Sequence, residues 1–211
     1  MAENAPVDDE EETAERKRWP LETAQPKLLS TLPQRPAFLE PPVEEQALLR
    51  GVQTHRVLGL MNLAALRPVM DQPKALYAVV CREIERLEAC GVMTAQEAQH
   101  VSRSMIARYL ESDLGRRMLV SERVEREWSF NLRIHEPFET VVQGVIDLCF
   151  LEDGAWVLVD FKTDRVDAAG ELAARYQQQL AFYREALMKG TPYPVKEAVL
   201  FSLRVGEGVR V

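Results

Sequence analysis

Hydrophobic positions along this 211-residue chain change their period as the chain proceeds. From Glu44 they follow helical spacing: Leu48, Leu49, Val52, His55, Arg56, Leu58 and Gly59 predict a helix over roughly 44 to 60. Leu60, Leu63, Leu66 and Val69 carry the stripe across a bend, with breaks at Pro68 and Pro73. Leu76, Val79, Val80, Ile84 and Leu87 predict a second helix over 73 to 90, ended near Gly91. Thr94 with Glu97 three positions on is a capping signal for a helix through about Leu110, and Ser112-Asp113-Leu114-Gly115 opens a short one.

After Ser121 the period moves toward two. Val124 to Phe130 alternates, Thr140 to Val145 less regularly, and the apolar run from Val157 suits a central strand. Asp153-Gly154 between Leu151 and Trp156 is the strongest short hairpin signal in the chain. A two-residue loop there pairs Glu152 with Ala155 and, further back, sets Asp147 opposite Asp160. A turn at 164 to 170, a helix from Gly170 to about Met188 and a final strand from Lys196 to Arg204 complete the pattern. The expected architecture is a three-layer α/β core preceded by a helical region, 45 to 120 and then 121 to 211.

Residues 1 to about 44 read as a tail and linker. They combine seven acids and three bases in the first twenty residues with Trp19-Pro20, Leu32-Pro33, Arg35-Pro36 and Glu40-Pro41-Pro42. Trp19, Leu28, Leu29, Phe38 and Leu39 offer isolated apolar anchors for a partner surface. The formal charge of -7 argues against a generic basic nucleic-acid binder, although the tail holds much of it. Cys81, Cys90 and Cys149 give neither a disulfide framework nor a four-thiolate cluster, so no iron-sulfur centre is expected. His100 and His135 read as surface or capping residues. No apolar run approaches the roughly 20 residues of a membrane span, and the expected compartment is the cytoplasm.

The chemistry concentrates at the hairpin. Two carboxylates facing each other across a sheet repel, and a bridging divalent cation removes that cost. Strand alternation places Lys162 on the face of Asp160 and turns Phe161 away. Two acids and an amine suit Mg²⁺ and phosphate oxygens, with Lys162 orienting water or offsetting charge on phosphorus. The plain alternative is an exposed Asp160-Lys162 pair, but the surrounding Trp156-Val157-Leu158-Val159 makes unpaired charge expensive there. Arg116 and Arg117 on the short helix are candidate phosphate contacts, against the reading of an ordinary solvated helix. On the helix from 170, Leu172, Tyr176, Leu180, Tyr183 and Leu187 share one side with Gln179. That arrangement suits either a site wall or tyrosines at a core edge.

Gly144-x-x-Asp147 with Asp160-x-Lys162 resembles the PD-(D/E)XK nuclease superfamily. A longer set resembles the C-terminal nuclease domain of AddA-type, RecB-related helicase-nuclease subunits: Arg50-Gly51-x-x-x-His55, Ser112-x-Leu114-Gly115-x-Arg117, Arg126-Glu127-x-x-Phe130, Gln143 to Asp147, Val159 to Asp164 and Tyr176-x-x-Gln179-Leu180-x-x-Tyr183. The resemblance implies a restriction-endonuclease-like fold and Mg²⁺-dependent DNA hydrolysis, with Mn²⁺ able to substitute. It implies His55, Asp147, Asp160 and the Phe161 carbonyl as metal ligands, and Lys162 as the catalytic lysine. Gln179 and Tyr183 correspond to helix residues at the site, Glu127 to an acid near the metal, and Tyr176 to a DNA contact. It further implies single-stranded DNA as the partner, helicase domains upstream and an AddB-like subunit. The Walker-type phosphate loop of such a motor is missing from these 211 residues. Two other classes remain open on the sequence: a nuclease-fold scaffold without activity, and a metal-dependent phosphoesterase acting on RNA or nucleotides.

Overall fold

A computed structural model describes residues 42–134, 139–164, 166 and 170–211. The proposed tail anchors and His135 lie outside these residues. The helical part comprises α1 (Pro42–Leu60), a short α2 (Leu63–Leu66) running into a 3-10 turn, α3 (Pro73–Ala89), α4 (Ala95–His100), α5 (Arg103–Glu111) and α6 (Asp113–Val120). The sheet part comprises β1 (Val124–Ile134), β2 (Thr140–Glu152), β3 (Ala155–Lys162), α7 (Gly170–Gly190), β4 (Val195–Ser202) and β5 (Glu207–Arg210). None of the described helices is long and apolar enough to cross a membrane.

The five strands form one mixed sheet in sequence order. β1, β2 and β3 form an antiparallel meander, β4 runs parallel to β3 after the α7 crossover, and β5 returns antiparallel. One face carries Leu148, Phe150, Val157, Val159 and Phe161 into a core with α1, α3, α5 and α6. The other carries Ile146, Trp156, Leu158 and Leu200 against Leu172, Tyr176, Leu180, Tyr183 and Leu187 of α7. The result is the α/β architecture expected: helices, mixed sheet, helix. Covered on both sides, β3 is buried from Ala155 to Phe161, which is why it reads as an unbroken apolar run.

Several expectations are corrected locally. α1 starts at Pro42, inside the stretch read as linker, because proline is well suited to the first turn of a helix. Its buried side is Gln53, Thr54, Val57 and Leu58, while Leu48, Leu49 and Val52 are exposed. The helix expected through Leu110 is two helices. Ser102 N–H turns to Thr54 Oγ1 at 3.1 Å, and the chain leaves α4 there. β4 ends at Ser202, and a turn through Gly206, at φ 86°, adds the unforeseen strand β5.

The hairpin register is as read from Asp153-Gly154, both in the left-handed region at φ 52° and 72°. Pairing runs from Glu152↔Ala155 back to Leu148↔Val159 and stops there. Asp147 and Asp160 therefore stand one step beyond the last ladder pair, and the Phe161 N–H donates instead to Asp147 Oδ2 at 2.8 Å. β1 changes at the same level. Arg126↔Leu148 and Trp128↔Ile146 pair on either side of Glu127, which sits in left-handed backbone at φ 51°. The sheet forks here: Leu148 faces the helical layer, whereas Trp128 and Ile146 face α7.

Candidate active site

Into this fork the sequence places its charged residues. Asp160 is 2 % exposed, near the end of a strand whose other residues up to Phe161 are apolar. Lys162 Nζ lies 2.7 Å from Asp160 Oδ2 and donates to Gln179 Oε1 at 3.0 Å. The same ammonium sits 4.1 Å from the centre of the Tyr176 ring. Gln179 Nε2 in turn donates to the Tyr183 hydroxyl at 2.7 Å. Tyr176, Gln179 and Tyr183 are three and four residues apart on α7, so one side of that helix delivers all of them. Asp164 accepts from the Tyr176 hydroxyl and from Arg175.

The opposite wall is α1. His55 Nδ1 lies 3.5 Å from Asp147 Oδ2, with Phe161 edge-on to its ring. Glycines four residues before and after His55 bring this helix close. A β-carbon on Gly51 would stand 2.6 Å from Thr163 Oγ1, and one on Gly59 would stand 3.0 Å from Glu127 Cγ. Glu127 thus reaches the site through a backbone that non-glycine residues rarely adopt, lodged in the notch at Gly59. Gly144 admits Phe130 in the same way, under the ring of Tyr183. The open cleft between these walls is about 620 Å³ and is lined by His55, Glu127, Asp147, Phe161, Lys162 and Tyr176 among others.

Burial and crowded charge set the protonation states. Burial, followed by the neighbouring Asp147 carboxylate, pushes the Asp160 pKa up to about 6. Burial would also raise Asp147, but hydrogen bonding and charge from His55 outweigh it and lower the pKa. For His55, burial pulls down while Asp147 and then Asp160 pull up, and the net direction is up. Glu127 is raised by burial and then by Asp147. Two carboxylates are thus held apart in acidity within one cleft, as at sites with divided acid and base duties.

The donor chemistry suits a hard divalent cation. Asp160 Oδ2 is buried, with the Lys162 ammonium 2.7 Å away as its neighbouring positive charge. Asp147 keeps one carboxylate oxygen besides the one taken by Phe161. In a strand the N–H and C=O of a residue face the same neighbour, so the Phe161 carbonyl is turned toward the Asp147 edge. Among the described residues no group of three His, Cys, Asp or Glu is assembled as a ready metal cage. His55 and Asp147 instead face each other, an arrangement that an ion would have to open.

The structure does not bring the two α6 arginines to this cleft. Arg116 bonds Asp71 at 3.1 Å. Arg117 takes Glu152 in both arms and Glu197 at 2.7 Å, tying α6 to β2 and β4. Tyr176 is 7 % exposed, with its ring under Lys162 rather than open to a base. Sequence reasoning passed over Gly59, Thr163, Asp164 and Arg126 as site components. The spacing Gly51, His55, Gly59 is the signal that finds Gly59, because it marks a helix stripe bare except for one imidazole.

A nuclease signature accounts for this constellation. The family profile of the PD-(D/E)XK nuclease superfamily matches residues 28–210, and the chain belongs to that superfamily. Within it the chain is homologous to AddA-type helicase/nuclease subunits. It is 35 % identical over 196 residues to the A-type subunit of the ATP-dependent helicase/nuclease from Alkaliphilus metalliredigens, covering 86 % of this chain and 16 % of that protein. The protein of the same name from Desulforudis audaxviator is 35 % identical over 187 residues, covering 82 % and 15 %. That of Acetivibrio thermocellus is 33 % identical over 197 residues, covering 83 % and 14 %. The chain spans about a sixth of the length of these curated relatives.

Proposed function

We propose that the cleft hydrolyses DNA phosphodiester bonds with Mg²⁺, as the nuclease module of a helicase-nuclease acting in double-strand-break repair and recombination. The observation that carries this is the buried Asp160 carboxylate, 2.7 Å from the Lys162 ammonium and within the field of the Asp147 carboxylate. Two carboxylates crowded into one cleft repel each other beyond what a single ammonium offsets, and a divalent cation relieves that cost. His55, Asp147, Asp160 and the Phe161 carbonyl would hold the ion, which supplies Lewis-acid polarisation of a phosphate oxygen and a more acidic water. Mn²⁺ would serve in its place.

The chain's own groups do the rest. Gln179 and Tyr176 hold the Lys162 ammonium in one place, where it offsets the charge growing on the phosphoryl oxygens. Tyr183 holds Gln179. Glu127, exposed at the rim, contributes a further carboxylate to the wall, its pKa raised by partial desolvation and by the Asp147 charge. Single-stranded DNA delivered by upstream helicase domains and an AddB-like partner fits a cleft with few cations of its own, and the reaction belongs in the cytoplasm.

Asp160→Ala and Lys162→Ala, purified and folded, should each abolish Mg²⁺-dependent cleavage of end-labelled single-stranded DNA. Full activity in either one sinks the proposal. The other reading, an inactive nuclease-fold scaffold, is motivated by the net charge of -7. Calorimetry separates the two, since a scaffold would take up neither Mg²⁺ nor Mn²⁺.

A further inference from the structure

The Arg126-Glu127 pair carries a consequence for α1. Arg126 is half-buried, and among the described residues no carboxylate pairs with it. Its Nη1 donates to two carbonyls, Leu58 O at 3.3 Å and Met61 O at 2.6 Å. Leu58 lies in the last turn of α1 and Met61 is the first residue beyond it. The Asn62 N–H that would ordinarily satisfy Leu58 O is turned to Glu83 Oε2 at 2.7 Å, and Arg86 reaches Leu60 O at 3.4 Å. The C-terminus of α1 is therefore closed by two guanidinium groups, as the negative end of a helix dipole favours.

Arg86 belongs to the helical layer, whereas Arg126 belongs to β1. Besides the His55–Asp147 contact, the Arg126 bonds are the polar links, among the described residues, that run from α1 and its exit to the sheet. Leu58 is three residues from His55, less than one helical turn. The left-handed backbone at Glu127 lets consecutive residues work together: Arg126 reaches the end of α1 while Glu127 enters the notch at Gly59. Among the described residues the amino-terminal half of the helix makes no such polar link to the sheet, and Leu48 and Leu49 are exposed there.

We infer that Arg126 is a positioning residue, which clamps the last turn of α1 to β1 and so sets His55 against Asp147. The inference rests on the reading of the cleft as a metal-dependent nuclease site only for its metal readout.

The test uses the full chain, with Arg126→Met to remove the donors and Arg126→Lys to restore one. In the metal-free protein at fixed pH, the His55 imidazole resonances should shift or broaden in the Met variant and move back toward wild type in the Lys variant. Affinity for Mn²⁺ by calorimetry should fall about ten- to a hundredfold in the Met variant, with partial recovery by Lys. Wild-type His55 resonances in a folded Met variant overturn the inference. So does equal damage by Met and Lys. If the Met variant does not fold, Arg126→Gln, which shortens the side chain and removes the charge, takes its place, and wild-type His55 resonances in that variant overturn the inference. If wild type takes up no Mn²⁺, the nuclease reading fails, and the His55 spectra still decide the role of Arg126.

Discussion

Lys162 and Gln179 meet end to end, Nζ to Oε1 at 3.0 Å, across the gap between β3 and α7. The contact gives a flexible ammonium one address. Lysine side chains otherwise keep much of their rotamer freedom, and catalysis suffers when a charged group wanders by about an ångström. Gln179→Leu keeps the volume and removes both of its hydrogen bonds. The expected outcome is a loss of about ten- to a hundredfold in kcat with the fold intact, read by single-stranded DNA cleavage and circular dichroism. Wild-type turnover in this variant would show that Lys162 needs no such brace.

The pH dependence of stability follows from Asp160 and His55. Asp160 titrates near 6 in the folded chain, above its unfolded value of about 4. The native state therefore binds the extra proton, and stability falls as pH rises from about 4 to about 6. His55 is also raised, so its contribution is complete below about 6.5 and lost as pH climbs through its folded value. Asp147 is lowered and works in the opposite sense, but its window lies below about pH 4. Metal-free protein should thus melt progressively lower from pH 4 to neutrality, and Mn²⁺ should restore the midpoint at pH 8. Asp160→Asn should melt roughly 5 °C above metal-free wild type at pH 8 and match it below pH 4. A lower midpoint at pH 8 would mean that pairing with Lys162 outweighs burial.

Arg117, a candidate DNA contact on sequence grounds, joins three elements in the structure. One guanidinium serves Glu152 and Glu197, and its removal leaves two partly buried carboxylates without their main partner. Arg117→Met should cost about 2–3 kcal/mol in denaturant unfolding while affinity for single-stranded DNA stays within about twofold at low temperature. Arg116→Ala, whose exposed pair with Asp71 is weak, should change stability by less than about 0.5 kcal/mol. A DNA-binding loss in folded Arg117→Met without a stability loss would return that residue to the nucleic-acid surface.

The legible parts of the site are those fixed by short-range chemistry. Asp153-Gly154 demands φ > 0 at consecutive positions, and that alone settles which residues of β2 and β3 stand opposite each other as far as Leu148↔Val159. The Gln179 side of α7 follows from helical spacing. By contrast, nothing periodic connects His55 to Asp147, since that contact is made between layers and comes only from family likeness. The apolar stripe of α1 points to the wrong inward face because the buried side contains Gln53, whose Nε2 reaches Glu97, and Thr54, which accepts from the Ser102 N–H, while Leu48, Leu49 and Val52 face out. The fork is invisible in the sequence for a similar reason. A glutamate in left-handed backbone runs against local preference, and the gain lies in where it sends Arg126 and Glu127.

Gly51 offers the sharpest test of how closely α1 must lie. Within a helix, glycine to alanine ordinarily stabilises by up to about 1 kcal/mol, so propensity alone favours the change. Here the new β-carbon would stand 2.6 Å from Thr163 Oγ1, at the mouth of the cleft. A β-branched side chain has few rotamers into which to retreat. Either Thr163 or α1 must yield, and a yielding α1 carries His55 away from Asp147. Gly51→Ala should therefore lower both stability and cleavage, against its propensity. Thr163→Ala removes the clashing oxygen and leaves a β-carbon 3.5 Å away. Added to Gly51→Ala, it should recover most of both losses, as a coupled pair in a double-mutant cycle. Independent, additive effects would show that Gly51 is not what lets the helix approach β3.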